Sequence, residues 1–104
     1  MTQLERIQHM EAVLNEVKDG IAQLNTAVVR YQDLHPKILE LSAYYGSPDW
    51  KQDFDADRAG KLPADLKRGV LSEDGVYDVL TDHRDILREM LFLVSAFIRS
   101  GDID

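Results

Sequence analysis

The sequence predicts an all-α protein, an antiparallel helical bundle of two long helices with shorter helices between them. Two stretches, about 2–34 and 73–99, carry apolar residues at a spacing near 3.6, whereas no stretch alternates apolar and polar residues as a strand does. The intervening segment is rich in turn residues. At 104 residues and 44% hydrophobic composition, the chain is long enough for one core, so we expect a single helical domain over 1–104.

The first helix is predicted by a heptad pattern that continues for four repeats. Eight side chains form its a/d seam: Ile7, Met10, Leu14, Val17, Ile21, Leu24, Val28 and Tyr31. A seam of this length is typical of a helix that pairs with another helix, as in a coiled coil. The helix should end near Leu34, because Pro36 lacks an amide hydrogen and crowds the preceding turn.

Three shorter helices are predicted between the long ones, over about 36–45, 48–59 and 63–68. Pro36 suits the first turn of a new helix, where its missing donor does no harm. Ser47 before Pro48 is a typical N-cap followed by proline at the first helical position. Gly60 and Gly69 are the expected stops of the second and third short helices.

The last helix is predicted to start at about residue 73, because Ser72 suits the N-cap and Glu73 and Asp74 suit the positive end of a helix dipole. Its apolar face contains Val76, Val79, Leu80, His83, Ile86, Leu87, Met90, Leu93, Val94 and Phe97. Leu91, Phe92 and Ile98 extend this face nearly around the helix. A helix that is apolar on most sides is typical of the centre of a bundle or of an oligomer interface.

Composition excludes several classes of function. The chain has no cysteine, which excludes disulfides, thiolate metal sites and cysteine nucleophiles, and fits a cytoplasmic protein. The first residues lack the basic and apolar blocks of a secretory signal. The longest near-continuous apolar run, 90–98, is interrupted by Ser95 and is about half a membrane span. A net charge of −7 without a basic cluster opposes nucleic-acid binding. We therefore expect neither a membrane nor a nucleic acid as partner.

No pattern indicates an enzyme or a cofactor site. The alternating Asp53, Asp55 and Asp57 are similar to the start of a calcium loop, but the positions for the required glycine and glutamate hold Arg58 and Ala64. None of the three histidines follows a glutamate by three residues, as di-iron bundle sites require. No serine lies in a Gly-x-Ser-x-Gly elbow. We expect no catalytic residue, no metal and no cofactor.

The segment 44–77, hereafter the insert, holds the only tryptophan and three of the four tyrosines. Aromatic side chains beside arginine are enriched in protein-binding hot spots. Nine side chains form the candidate interaction surface: Tyr44, Tyr45, Trp50, Arg58, Lys67, Arg68, Leu91, Phe92 and Ile98. The competing interpretation is that Trp50 and Phe54, four residues apart on one helix face, form a small core that pins the insert to the bundle.

Several blocks of the insert carry a resemblance: Tyr44-Tyr45-Gly46-Ser47-Pro48-Asp49-Trp50, Leu62-Pro63, and Leu66-Lys67-Arg68-Gly69-Val70-Leu71-Ser72-Glu73-Asp74-Gly75. The chain resembles a family of small proteins from Gram-positive bacteria known only as a domain of unknown function. The similarity spans most of the chain. It implies a short, single-domain, cytoplasmic bacterial protein, and it brings no activity, ligand or catalytic residue.

These observations favour a non-enzymatic protein-interaction module that binds another protein through the insert or the apolar end of the last helix. A homodimer that buries Leu91, Phe92 and Ile98, or part of the seam, is expected because exposed apolar patches usually mark interfaces. One alternative is a regulator that binds a small molecule or a metal through the acidic insert. A weaker alternative is an acidic inhibitor of a nucleic-acid enzyme.

Overall fold

A computed structural model of the chain describes residues 1–101, and these residues form helices and turns. The elements are α1 (Gln3–Asp33), α2 (His35–Tyr45), α3 (Pro48–Arg58), a 3-10 turn (Gly69–Leu71) and α4 (Gly75–Ser100). The all-α class is confirmed, as are two long helices with shorter ones between them. The chain divides into two compact units, the first from Met1 to Lys37 and the second from Ile38 onward. The antiparallel arrangement and the single domain stay predictions.

In the first unit, α1 begins and ends where its sequence signals lie. Thr2 caps the helix, because its hydroxyl accepts the amide of Glu5 at 3.2 Å and donates to the Glu5 carboxylate at 3.0 Å. At the other end the amide of Leu34 bonds to the carbonyls of Arg30 and Tyr31, as a helix stopped by Pro36 should. None of the residues of α1 is buried.

The second unit uses the expected caps around α3. The Ser47 hydroxyl accepts the Trp50 amide at 3.3 Å and donates to the Tyr44 carbonyl at 2.6 Å, so it joins the end of α2 to the start of α3. Gly60 has a φ of +70°, a left-handed conformation that suits glycine, and the Lys61 amide reaches back to the Ala56 carbonyl. Both boundaries of α3 were therefore readable from local sequence.

The short helix predicted over 63–68 is wrong. This segment forms turns, with one backbone hydrogen bond from the Leu66 amide to the Pro63 carbonyl. A six-residue helix is too short to be stable alone. In addition, the Pro63 and Leu66 carbonyls accept hydrogen bonds from the Arg68 side chain. The side chain thus satisfies backbone groups that a helix would otherwise have paired internally.

The last helix begins at Gly75 and not at about 73. Ser72 is extended, with φ −71° and ψ 152°, and it ends the 3-10 turn before α4 starts. Its hydroxyl still caps the new helix, since it accepts the Gly75 amide at 3.0 Å and donates to the Gly69 carbonyl at 2.9 Å. The two buried apolar residues among those described, Leu71 and Val76, flank this corner, where the 3-10 turn packs against α3 and α4.

Candidate functional site

The insert is organised around Trp50. The Trp50 ring stacks on Phe54, with centroids 5.0 Å apart and planes 19° apart, and meets the Tyr45 ring edge-on at 5.0 Å and 72°. Its indole N–H donates to the Val70 carbonyl at 2.7 Å. These contacts join α2, α3 and the 3-10 turn, so they favour the competing interpretation of Trp50 and Phe54 as a small core, with Tyr45 as a third ring.

Two predicted interaction residues, Arg58 and Arg68, are also engaged within the insert. The Arg58 guanidinium lies 4.9 Å above the Phe54 ring and pairs with the Glu73 carboxylate. Arg68 donates to the Asp57 carboxylate at 2.5 Å and to the Pro63 and Leu66 carbonyls at 2.5 and 3.3 Å. Arg68 thereby fastens the 61–68 loop to α3.

Tyr44 makes a side-chain hydrogen bond across the corner between α2 and α3. Its hydroxyl donates to the Asp53 carboxylate at 2.7 Å. This hydrogen bond, followed by burial and the negative charges of Asp53 and Asp49, raises the pKa of Tyr44 to about 12. Tyr44 and Tyr45 are both half-buried, and each faces a different partner.

The three alternating aspartates of α3 have three different partners. Asp53 accepts from Tyr44, Asp57 pairs with Arg68, and the Asp55 carboxylate lies 3.4 Å from the Lys51 ammonium. Among residues 1–101, no group of three histidine, aspartate or glutamate side chains is arranged to hold a metal ion. A metal-binding regulator would therefore require these carboxylates to leave their present partners.

The remaining predicted site residues lie on the surface. Lys67 is exposed, and Leu91, Phe92 and Ile98 on α4 are 71%, 74% and 57% exposed. The structure thus separates the nine predicted residues into five that make contacts within the insert, the exposed Lys67, and an exposed apolar group of three on α4. Sequence reasoning missed Asp57 and the Val70 carbonyl as partners of Arg68 and Trp50, because these pairs are 11 and 20 residues apart and leave no local pattern.

The Tyr44 hydrogen bond should make stability depend on alkaline pH. The pKa of tyrosine is about 10 in the unfolded chain and about 12 in the folded one, so the folded state holds this proton more tightly. The Tyr44 hydrogen bond therefore contributes fully to the free energy of unfolding below about pH 10, and this contribution is lost as the pH rises toward about 12. Urea unfolding at about pH 9 and about pH 11 should show a smaller loss for Tyr44→Phe than for the wild type. Tyr77→Phe, which changes a tyrosine that is 59% exposed, should behave like the wild type; equal losses in all three proteins would contradict this prediction.

These features define a class: a small helical protein whose central insert is a hydrogen-bonded aromatic corner and whose long helices present apolar faces. The chain belongs to the family described as Domain of unknown function (DUF4298), whose model matches residues 7–93. The match covers the seam, the insert and most of α4, and it confirms the resemblance seen in the sequence. Curated proteins and solved structures gave no significant match. Within the described part of the chain, no helix has the length and apolar character needed to cross a membrane.

Proposed function

We propose that this chain is a cytoplasmic, non-enzymatic helical interaction module that forms a homodimer through the α1 seam. One observation carries the proposal: α1 has no buried residue, although its seam residues from Ile7 to Val28 are apolar at every a and d position. These seam side chains are 39–64% exposed. Since apolar surface on this scale is costly in water, a second helix is the expected cover.

The exposed area is sufficient for a stable pair. The seven apolar side chains from Ile7 to Val28 present on the order of 700 Å² per helix, comparable with the roughly 800 Å² per partner of a standard stable interface. The area is continuous along α1, because the a and d positions of a heptad follow one stripe. Interfaces much smaller than this are usually weak, so the length of the seam supports a stable dimer.

The seam composition supports two parallel strands. Three of the four a positions carry β-branched residues, Ile7, Ile21 and Val28. Next to a leucine at d, such as Leu24, β-branched residues at a favour dimers over larger assemblies. Arg6 is at a g position and Glu11 at the following e position. In a parallel dimer these two positions lie opposite each other in different chains, so they form two attractive charge pairs.

The helix surface beside the seam also fits a helical partner. Ala27 and Gly20 are small residues at g positions, and they allow a neighbouring helix to approach closely.

The molecular mass in solution tests this proposal. Light scattering after size exclusion at tens of micromolar should give twice the 11.9 kDa of one chain. Leu14→Glu with Ile21→Glu should weaken the dimer by about 100-fold or more, because charges would be buried without partners.

A matched control uses the opposite side of the same helix. Ala12→Glu with Asn15→Glu introduces the same charge at f and b positions, which lie away from the seam, and should leave the mass unchanged. A wild-type mass of 11.9 kDa would overturn the proposal. So would equal dissociation of the control and the seam variant.

A further inference from the structure

The three arginines of α4 lie on one side of the helix, together with its three most outlying apolar residues. At about 100° per residue, these six side chains share a sector of about 120°: Arg84, Arg88, Leu91, Phe92, Ile98 and Arg99. We call this the basic–apolar face. The main apolar face, which runs from Val76 to Phe97, occupies the neighbouring side of the helix.

The side chains of the basic–apolar face are accessible. Leu91 and Phe92 are 71% and 74% exposed, the highest values among the large apolar residues of α4. The Arg88 guanidinium lies 3.9 Å from the Asp85 carboxylate, but the Arg88 side chain remains 70% exposed. An exposed pair at this distance contributes little and competes weakly with a partner. Arg84 and Arg99 are exposed as well.

The charge of this face is opposite to that of the protein as a whole. The chain carries a net charge of −7, and α4 itself contains four acids: Asp78, Asp82, Asp85 and Glu89. At about 100° per residue, these acids fill an adjoining sector of about 60°. The positive strip is therefore narrow and directly bordered by negative charge.

The narrow width of the positive strip limits the shape of a partner that can bind it. A flat anionic surface such as a bilayer would approach the bordering acids within a Debye length of about 8 Å and be repelled. A single helix is about 10 Å wide and can contact the strip alone. From Arg84 to Arg99 the strip extends about 22 Å at 1.5 Å per residue, the length of a partner helix of about 15 residues.

We propose that the basic–apolar face of α4 binds an acidic amphipathic helix of another protein. Apolar side chains of that helix would cover Leu91, Phe92 and Ile98, and its carboxylates would pair with the arginines that flank them along α4. The inference rests on the proposed function as an interaction module and names the chemistry of its partner. It does not depend on dimerisation through α1.

A random 16-residue peptide library, displayed on phage and selected on the full chain, tests this inference. The selected peptides should combine aspartate or glutamate with leucine, phenylalanine or methionine at helical spacing. A synthetic copy of the strongest peptide should bind at least about 10-fold more weakly to Arg84→Glu with Arg88→Glu. Its affinity for the wild type should also fall as salt is raised.

The matched control is Lys61→Glu with Lys67→Glu, which changes the net charge by the same amount on an exposed loop. This variant should keep at least about half of the wild-type affinity. Leu14→Glu with Ile21→Glu should also bind the peptide, so failure of the seam proposal and failure of this one can be told apart.

Several outcomes would overturn the inference. Selected peptides without acids, or equal losses in the two charge-reversed variants, would show that the face does not recognise an acidic helix. Binding to phosphatidylglycerol vesicles but not to peptides would assign the face to a lipid surface. A halved molecular mass for Arg84→Glu with Arg88→Glu would assign it to a second copy of the chain.

Discussion

Replacing Trp50 with alanine should lower the free energy of unfolding of the second unit by about 3 kcal/mol, the lower end of the range for large aromatic truncations. Because Trp50 is half-buried, the expected loss is smaller than it would be for a fully buried ring. The substitution removes the stack on Phe54, the edge contact with Tyr45 and the hydrogen bond to the Val70 carbonyl together. The loss is measured by urea unfolding. Circular dichroism is the signal, because the substitution removes the only tryptophan and with it the usual fluorescence probe.

Two further variants separate the causes. Trp50→Phe keeps a ring against Phe54 and loses only the indole donor, so about 1–1.5 kcal/mol is expected. Tyr77→Ala removes an aromatic ring that is 59% exposed and should change stability by less than about 0.5 kcal/mol. If Trp50→Ala proves as mild as Tyr77→Ala, Trp50 is not the centre of the insert and becomes available as a binding residue.

This result would decide how the aromatic residues of the insert are used. Hot-spot residues on a free surface are the same types that fill a small core, so composition alone does not distinguish the two uses. The contacts of Trp50, Arg58 and Arg68 favour the structural use. Leu91 and Phe92 on α4, in contrast, are 71% and 74% exposed. Partners are therefore expected to bind the helix faces and not the aromatic residues of the insert.

Local signals account for the part of the fold that the sequence predicted. Pro36, Ser47 and Gly60 each act within one turn of the chain, through a missing donor, a capping hydroxyl and a left-handed backbone. Heptad periodicity likewise needs no knowledge of tertiary structure. The three boundaries followed from the residues at those positions alone.

The loop over 63–68 shows why the rest of the fold was not predictable. Its conformation depends on Arg68, which bonds to Asp57 eleven residues away and to carbonyls within the loop. When a side chain takes the place of helical hydrogen bonds, no periodic pattern in the sequence reveals it. The same reason explains why the hydrogen bonds from Trp50 to Val70 and from Tyr44 to Asp53 were not foreseen, whereas the packing of Trp50 on Phe54 was.

The corner before α4 offers the second large effect, in the substitution Gly75→Ala. An added Cβ would lie 2.4 Å from the Ser72 hydroxyl oxygen and 2.7 Å from the Gly69 carbonyl oxygen. The hydroxyl can rotate away, but the Gly69 oxygen belongs to the backbone, so the 3-10 turn or the first turn of α4 must move. We expect a loss of about 2–4 kcal/mol, the sum of overpacking and a lost cap.

Gly69→Ala is the matched control, because it lies in the same corner and an added Cβ would meet no atom within 4 Å. It should change stability by less than about 0.5 kcal/mol. Both variants are measured by urea unfolding with the wild type, and a loss for Gly69→Ala as large as for Gly75→Ala would contradict the steric explanation. The difference between the two glycines matters because the Gly75 amide donates to the Ser72 hydroxyl. This hydrogen bond lies in the chain segment between the buried residues Leu71 and Val76. If the close approach at Gly75 sets this geometry, the start of α4 is fixed by packing at the corner and not by the acids at 73 and 74.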